Sequence, residues 1–170
     1  TVDKAIVQSS SAANVTGNSY VGGVAGRIQS NDSSAMSECF NTGSVTGASV
    51  VGGLTGSLYN GGTISDCYNT GAVKATTGVA GGLVGQLRSG AIKNTYQACT
   101  VDAPTKGSVA GNLDFERAQK TLDKVYVLAS GLEEVGNKNG CTIQNGTATV
   151  KTDAELKTIA ANLGDAFAED

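Results

Sequence analysis

The sequence lacks histidine and tryptophan, contains a single proline, and is only 5% aromatic over its 170 residues. Without an imidazole, the chain cannot form Ser-His-Asp or Cys-His nucleophile systems, His-ligated zinc sites or HExxH protease sites. Its 12 Lys and Arg against 15 Asp and Glu give a formal net charge of −3, which argues against a nucleic-acid partner. No apolar run reaches the roughly 18–20 residues of a membrane span, so we expect no membrane insertion.

Glycine and charge are distributed unevenly along the chain. Of the 24 glycines, 19 lie in residues 1–113, whereas 16 of the 27 charged residues lie in 114–170. Glycine at this density can indicate a disordered linker, but linkers lack regularly spaced Val, Leu and Ile. In this chain the apolar residues recur at a fixed period, so we expect an ordered front region. Because the chain begins at Thr1 without Met, we also expect it to be a fragment of a longer protein.

An internal repeat of 29–30 residues runs through the front region. A Gly-Gly-apolar-x-Gly segment occurs three times and supplies the repeat-defining glycines, which are Gly22, Gly23, Gly26, Gly52, Gly53, Gly56, Gly81, Gly82 and Gly85. We place a degenerate fourth copy at 110–115. A second block aligns Met36, Ile64, Ile92 and Leu122, with a weak further copy at 2–7. A third column contains Val15, Val45, Val73 and Val101.

This repeat predicts a mainly β fold, a right-handed β-solenoid of about five coils of 28–30 residues. Periods of 20–50 residues are typical of solenoids, and the short alternating apolar runs between turn signals indicate strands. One repeat cannot bury its own apolar face, whereas stacked coils would bury these residues in two interior ladders. We expect these ladders to be Met36, Ile64, Ile92 and Leu122, and Val24, Leu54, Leu83 and Leu113. The glycines would supply positive φ at corners and allow neighbouring backbones to approach closely.

The chain divides into the solenoid at 1–127 and a C-terminal region at 128–170. Turn signals at Asn139-Gly140 and Asn145-Gly146 predict a hairpin or a last pair of short strands. Thr152 and Glu155 form a capping box, which predicts a helix start. Apolar residues follow at helical spacing, with Gly164 as the stop, and they are Leu156, Ile159, Ala160 and Leu163. We expect this amphipathic helix to pack on the open end of the solenoid.

Two sets of side chains could carry function. The repeat aligns one aromatic ladder, Phe40, Tyr68, Tyr96 and Tyr126. These rings could stack on sugars or grip a protein partner, or they could simply stack between coils. Glu38 and Asp66 lie one coil apart and could approach the separation of a glycosidase pair. A solvated face of mixed charge explains the two carboxylates better, so we predict no catalytic residues.

The four cysteines allow two disulfides and no metal site. Cys39 and Cys67 share a column, so one strand spacing of about 4.8 Å would separate their Cα atoms, within disulfide range. We favour two small buried apolar residues in a column that we align with Ala5, Thr95 and Val125. A bridge between Cys99 and Cys141 would tie the C-terminal region to the array. A four-cysteine zinc site would show CxxC pairs, and there are none, so we expect neither metal nor cofactor.

One repeat resembles a known family. Gly82-Leu83-Val84-Gly85, together with the run at 66–71, is similar to the GLUG repeat, and the similarity covers roughly residues 1–130. GLUG repeats occur in large bacterial surface proteins, including adhesin-like proteins and the non-catalytic region of IgA-specific metallopeptidases. The resemblance implies a non-catalytic, extracellular module that contacts host glycans or proteins, as an adhesin or stalk segment. The alternative is an accessory substrate-positioning module of a secreted metallopeptidase, which an HExxH motif in the parent chain would favour.

Overall fold

The computed structural model describes residues 4–29, 35–115 and 118–162. These ranges contain 22 short strands and one helix. Leu163 and Gly164, which the sequence pattern places at the helix end, lie outside the described residues. The strands are β1 (Ile6–Val7), β2 (Ser10–Ser11), β3 (Val15–Thr16), β4 (Tyr20–Gly22), β5 (Ala25–Gln29), β6 (Met36–Ser37), β7 (Phe40–Asn41), β8 (Val45–Gly47), β9 (Val50–Gly52), β10 (Thr55–Tyr59), β11 (Thr63–Ser65), β12 (Tyr68–Asn69), β13 (Val73–Ala75), β14 (Val79–Gly81), β15 (Val84–Leu87), β16 (Gly90–Gln97), β17 (Val101–Asp102), β18 (Thr105–Gly107), β19 (Ala110–Leu113), β20 (Lys120–Leu128), β21 (Val135–Asn137) and β22 (Thr149–Lys151), and the helix is α1 (Asp153–Asn162).

The strands stack into four parallel sheets, which makes the chain a β-solenoid as predicted. Sheet A contains β5, β10, β15, β19 and β21, sheet C contains β3, β8, β13 and β17, and sheet D contains β4, β9, β14 and β18. The nine-stranded sheet B contains the remaining strands, with β16 and then β20 spanning its full width. Four turns are complete in the described ranges: coil 1 (β1–β5), coil 2 (β6–β10), coil 3 (β11–β15) and coil 4 (β16–β19). A partial fifth turn of β20 and β21 follows, rather than a fifth full coil.

The strand register confirms most of the repeat alignment. The first predicted interior ladder is formed, because Met36, Ile64, Ile92 and Leu122 are neighbours along sheet B. The valine column is formed along sheet C, from Val15 to Val101. The three columns of the sequence repeat therefore do report stacked positions.

The predicted register is wrong at two places, each by four residues. In coil 4, Gly107 rather than Gly111 pairs with Gly81, and Leu113 pairs with Leu87, so Leu113 does not continue the Leu83 ladder. This coil is shorter because Gly107 follows Val101 by six positions, whereas Gly81 follows Val73 by eight. In coil 1, Ile6 rather than Val2 pairs with Met36. The column of Cys39 therefore continues to Ser9, not to the predicted Ala5, because the neighbouring Ser10 pairs with Phe40.

Two apolar clusters fill the interior and a column of amides separates them. The larger cluster lies between sheets A and B, and the smaller one between sheets C and D. Between them, Asn41 donates its Nδ2 to Asn69 Oδ1 at 2.8 Å. Asn69 in turn donates to the carbonyl oxygens of Gly71 at 2.9 Å and Gly82 at 3.0 Å. The buried side chains thus satisfy backbone carbonyls that no strand partner reaches.

The double glycine of the repeat is explained by close approach and not by positive φ. A Cβ at Gly53 would overlap the Asn69 amide, and a Cβ at Gly52 would overlap backbone of the same coil and of the next. None of the nine repeat-defining glycines has φ in the left-handed region, so the expectation that they supply positive φ at corners is wrong. The corner of sheet B is instead made by a column of non-glycine residues with φ of 46–52°: Gln8, Glu38, Asp66, Asn94 and Lys124.

The C-terminal region extends the sheets and does not form the expected hairpin. β21 pairs in parallel with β19, and β22 pairs in parallel with β20. The two strands cannot pair with each other because they lie in different sheets. The interior of the last turn is covered by Cys141, Ile143 and Ala148, which pack against the larger cluster.

Helix α1 begins with the predicted capping box. The Thr152 amide donates to Glu155 Oε2 at 2.8 Å, and the Glu155 amide donates to Thr152 Oγ1 at 3.3 Å. The helix does not place Leu156 over the solenoid end. Leu156 is 2% exposed and packs on the flank of the solenoid, with Tyr96 at the centre of the contact.

Candidate functional site

The four predicted rings do form one ladder along sheet B. Phe40, Tyr68, Tyr96 and Tyr126 are consecutive partners in the strand register. The rings of Phe40 and Tyr68 stack with centroids 4.8 Å apart and planes within 1°. Those of Tyr68 and Tyr96 stack at 5.1 Å and 5°. The spacing equals that of the strands, about 4.8 Å, so the backbone register holds the rings in parallel.

Stacking determines which part of each ring is accessible. Parallel rings one strand spacing apart turn their faces to each other, so an interior ring of the ladder cannot offer its face to a sugar. Phe40, Tyr68 and Tyr126 are half-buried, whereas Tyr96 is only 8% exposed because Leu156 of α1 packs on it. Burial, together with the nearby Tyr68, raises the pKa of Tyr96 to about 12. The sequence could not show this cover, because it depends on where the helix docks.

The ladder ends at Phe40, because the next position of the column, in coil 1, holds a small residue. Ser10 is the partner of Phe40 in coil 1, and its short side chain leaves space beside the ring. A cleft of about 220 Å³ opens there and is lined by Gln8, Ser9, Ser10, Glu38 and Phe40. The Gln8 amide donates to Glu38 Oε2 at 2.8 Å across the same cleft. The predicted register would have put Ile6 beside Phe40, so the cleft depends on the corrected register of coil 1.

The two carboxylates proposed as an acidic pair are each bonded to an amide of an adjacent coil. Glu38 accepts from Gln8, and Asp66 accepts from Asn94 Nδ2 at 2.5 Å. All four residues belong to the left-handed column at the corner of sheet B. Along the column the two carboxylates are adjacent and lie between the neutral amides of Gln8 and Asn94, with Lys124 next, as in a solvated face of mixed charge.

Neither of the two possible disulfides is formed: all four cysteines are free thiols and buried, as favoured for Cys39 and Cys67. Cys99 lies in the smaller core cluster, whereas Cys141 lies in the larger one over the last turn. Cys39 and Cys67 each donate to the carbonyl oxygen two residues earlier, Ser37 at 3.1 Å and Ser65 at 3.0 Å.

The thiols of Cys39 and Cys67 hydrogen-bond in the same pattern as their polar neighbour in the column. Thr95, one coil above Cys67, donates to the carbonyl of Lys93 at 2.6 Å in the same pattern. These thiols thus act as small buried hydrogen-bond donors. Burial raises the pKa of Cys67, and it raises the pKa of Cys99 to about 12.

Sequence reasoning missed two groups of residues. The buried amides Asn41, Asn69 and Gln97 follow the ladder rings in the repeat, and that recurrence was a visible signal. The second group surrounds Arg88, whose guanidinium lies 4.7 Å from the Tyr59 ring centroid and 4.2 Å from that of Phe115. No periodic signal marks this group, because Tyr59 and Phe115 belong to no aromatic column.

Comparison with known proteins supports the repeat assignment. Residues 47–74 match the model of the GLUG motif. The chain carries a GLUG motif. This match runs from the end of β8 to β13 and includes Gly52, Gly53 and Gly56 of coil 2 together with Tyr68 of the ladder. No curated protein and no solved structure matches the chain.

Residues 4–29, 35–115 and 118–162 contain no group of three or more His, Cys, Asp or Glu that could hold a metal ion. In the same part of the chain, no helix has the length and apolar character to cross a membrane.

Proposed function

We propose that this GLUG solenoid is a non-catalytic, extracellular module of a bacterial surface protein, acting as an adhesin or stalk segment that contacts host glycans or proteins. The aromatic ladder carries the proposal. It places four rings, three of them half-buried, at strand spacing along one flank, in a fixed order that the backbone register maintains. Rigid aromatic groups of this kind supply contact area at low cost in side-chain entropy.

The arrangement of the carboxylates supports a binding role over a hydrolytic one. A retaining or inverting glycosidase needs one carboxyl group as a proton donor and a second as nucleophile or base. Glu38 and Asp66 each accept a hydrogen bond from a neutral amide, and both lie on the same mixed column as Lys124. This column resembles an ordinary solvated corner of a solenoid.

The experiment is binding of the chain to an array of glycans, mucins and host surface proteins. The test variant is Tyr68→Ala/Tyr126→Ala, which removes two accessible rings and leaves Tyr96 under the helix. Tyr20→Ala is the matched control, because Tyr20 is 39% exposed and lies in sheet D, away from the ladder.

We expect specific binding by the native chain and by the control, with at least about tenfold weaker binding by the double variant. Circular dichroism of each variant establishes that it is folded. If the folded native chain binds nothing on the array, the adhesive role is refuted and a spacer role remains. Equal binding by the double variant would show that adhesion does not depend on the ladder.

A further inference from the structure

At the cleft, one face of Phe40 has no ring of a neighbouring coil against it. Phe40 is covered on one side by Tyr68, with the two planes within 1° of each other. On its other side, the strand partner is Ser10, which has no ring. The space of the missing ring is the cleft of about 220 Å³ that Phe40 and Ser10 line together. The cleft is therefore shaped by a break in the aromatic column.

The lining of the cleft is suited to a polar ring. Apart from Phe40, it consists of Gln8, Ser9, Ser10 and Glu38, all of which carry hydrogen-bonding side chains. Within the described ranges, no group other than the Gln8 amide hydrogen-bonds the Glu38 carboxylate. A carboxylate has about four acceptor positions, so Glu38 can still accept from ligand hydroxyls.

We propose that this cleft is a subsite for one neutral pyranose ring, which stacks on Phe40 and hydrogen-bonds Glu38 and Gln8. The axial C–H groups of a pyranose carry partial positive charge and pack against the negative face of an aromatic ring. The hydroxyl groups at the rim of the sugar would reach Glu38 and Gln8. This inference deepens the proposed adhesive function and rests on it.

The volume of the cleft and the charge of Glu38 restrict the class of ligand that it can bind. Clefts that hold drug-sized ligands have volumes of roughly 300–1,000 Å³, so a cleft of about 220 Å³ suits a single ring. An acidic sugar would meet the Glu38 carboxylate with like charge, which disfavours sialic acid. An aromatic side chain of a protein partner would fill the same space but would bury the polar lining without hydrogen-bond partners.

The test is saturation-transfer NMR of the whole chain with methyl β-D-glucopyranoside. This probe has only equatorial ring substituents, so both of its faces present axial C–H groups. We expect saturation transfer to its axial ring protons, and much weaker transfer to N-acetylneuraminic acid. No transfer to the glucoside, or stronger transfer to p-cresol as an aromatic probe, would overturn the proposal.

Two variants and a control locate the binding. Phe40→Ala removes the platform, and we expect at least fivefold weaker binding. Because this change also removes a ring of the ladder, Ser10→Tyr is the second variant: it keeps Phe40 and fills the cleft with an added ring. We expect Ser10→Tyr to abolish binding and to raise the melting temperature, whereas Tyr20→Ala leaves binding unchanged.

The outcomes separate this proposal from the proposed function. Undiminished glucoside binding by folded Ser10→Tyr overturns the Phe40 subsite. If the native chain binds mucin or a host protein but not the glucoside, the adhesive function stands and the subsite fails. If it binds the glucoside but no array component, the subsite stands and the adhesive function fails.

Discussion

Replacing Asn69 by alanine should destabilise the solenoid more than any loss of an exposed asparagine. Asn69 is fully buried and donates to two carbonyl oxygens, at 2.9 Å to Gly71 and 3.0 Å to Gly82. Alanine leaves both carbonyls without this donor, and it removes the acceptor of Asn41 Nδ2. A buried polar group without a partner costs about 1–3 kcal/mol. The Gly82 carbonyl would keep only the Cys99 thiol, a weak donor at 4.0 Å, so the two carbonyls imply a loss of about 2–6 kcal/mol.

The assay is chemical and thermal unfolding monitored by circular dichroism. For a chain of this length, 1 kcal/mol shifts the melting temperature by roughly 2–4 °C, so a mid-range loss of about 4 kcal/mol predicts a decrease of roughly 8–16 °C. Asn14→Ala is the matched control, because Asn14 is exposed and bonds only Ser44 among the described residues. We expect about 1 kcal/mol or less for the control.

One result would refute the reasoning about the amide column. If Asn69→Ala loses no more stability than Asn14→Ala, the carbonyls must find other donors and the amide column does not hold the two clusters together. Amide hydrogen exchange provides a local readout. We expect the loss of protection to be greatest in coil 3 and coil 4, where the carbonyls of Gly71 and Gly82 lie against neighbouring backbone.

Three further predictions follow from the backbone and the helix cap. Gly81→Ala should cost about 1–3 kcal/mol in the free energy of unfolding, because its Cβ would overlap the carbonyl oxygen of Val84; unchanged unfolding would contradict the close approach. Lys124→Gly should stabilise the chain by up to about 1 kcal/mol, because glycine relieves the strain of a φ of 51°. The control Lys93→Gly, in an extended strand, should destabilise the chain. Equal effects of the two changes on the free energy of unfolding would contradict the strain at Lys124. The hydrogen bond from the Thr152 amide lowers the pKa of Glu155 from 4.5 to about 2. The contribution of Glu155 to the helix is therefore complete above pH 4.5 and is lost as the pH falls through about 2. Far-ultraviolet dichroism should show this loss, and Glu155→Gln should remove it.

The sequence was sufficient to predict the solenoid because its three columns lie in three different sheets. Met36, Val45 and Gly52 each recur with the same period, and only stacked coils align all three at once. The register of the first and fourth copies of the repeat was predicted less well. Coil 4 is shortened beside Pro104, and coil 1 has serines where the later coils have Cys and an aromatic ring. An alignment without gaps is four residues out of register in coil 4. In coil 1 the offset of 30 residues that relates Val15 to Val45 also relates Ile6 to Met36, so the predicted copy at 2–7 departed from the period of the repeat.

Local sequence motifs did not reveal where helix α1 packs on the solenoid. The capping box correctly located the start of α1, because that motif is made by residues three apart in the sequence. The face on which Leu156 docks depends on the ring of Tyr96, sixty residues earlier, which Leu156 helps to bury. The left-handed conformation at the corner of sheet B could not be predicted from the sequence either. Asn and Asp are the usual non-glycine residues with positive φ, but Gln, Glu and Lys occupy the other positions of this column.

A stacked repeat can bind a planar ligand only where one of its columns is interrupted. In an unbroken ladder each ring face is covered by the next ring, so the ladder of Phe40, Tyr68 and Tyr96 stabilises the fold along its length and offers a free face only at an end. At the upper part, Leu156 packs against the rings. At the lower end, Ser10 interrupts the column, and the polar residues of the corner surround the gap. The departures from the repeat, and not the repeat itself, are therefore where recognition should be sought in this chain.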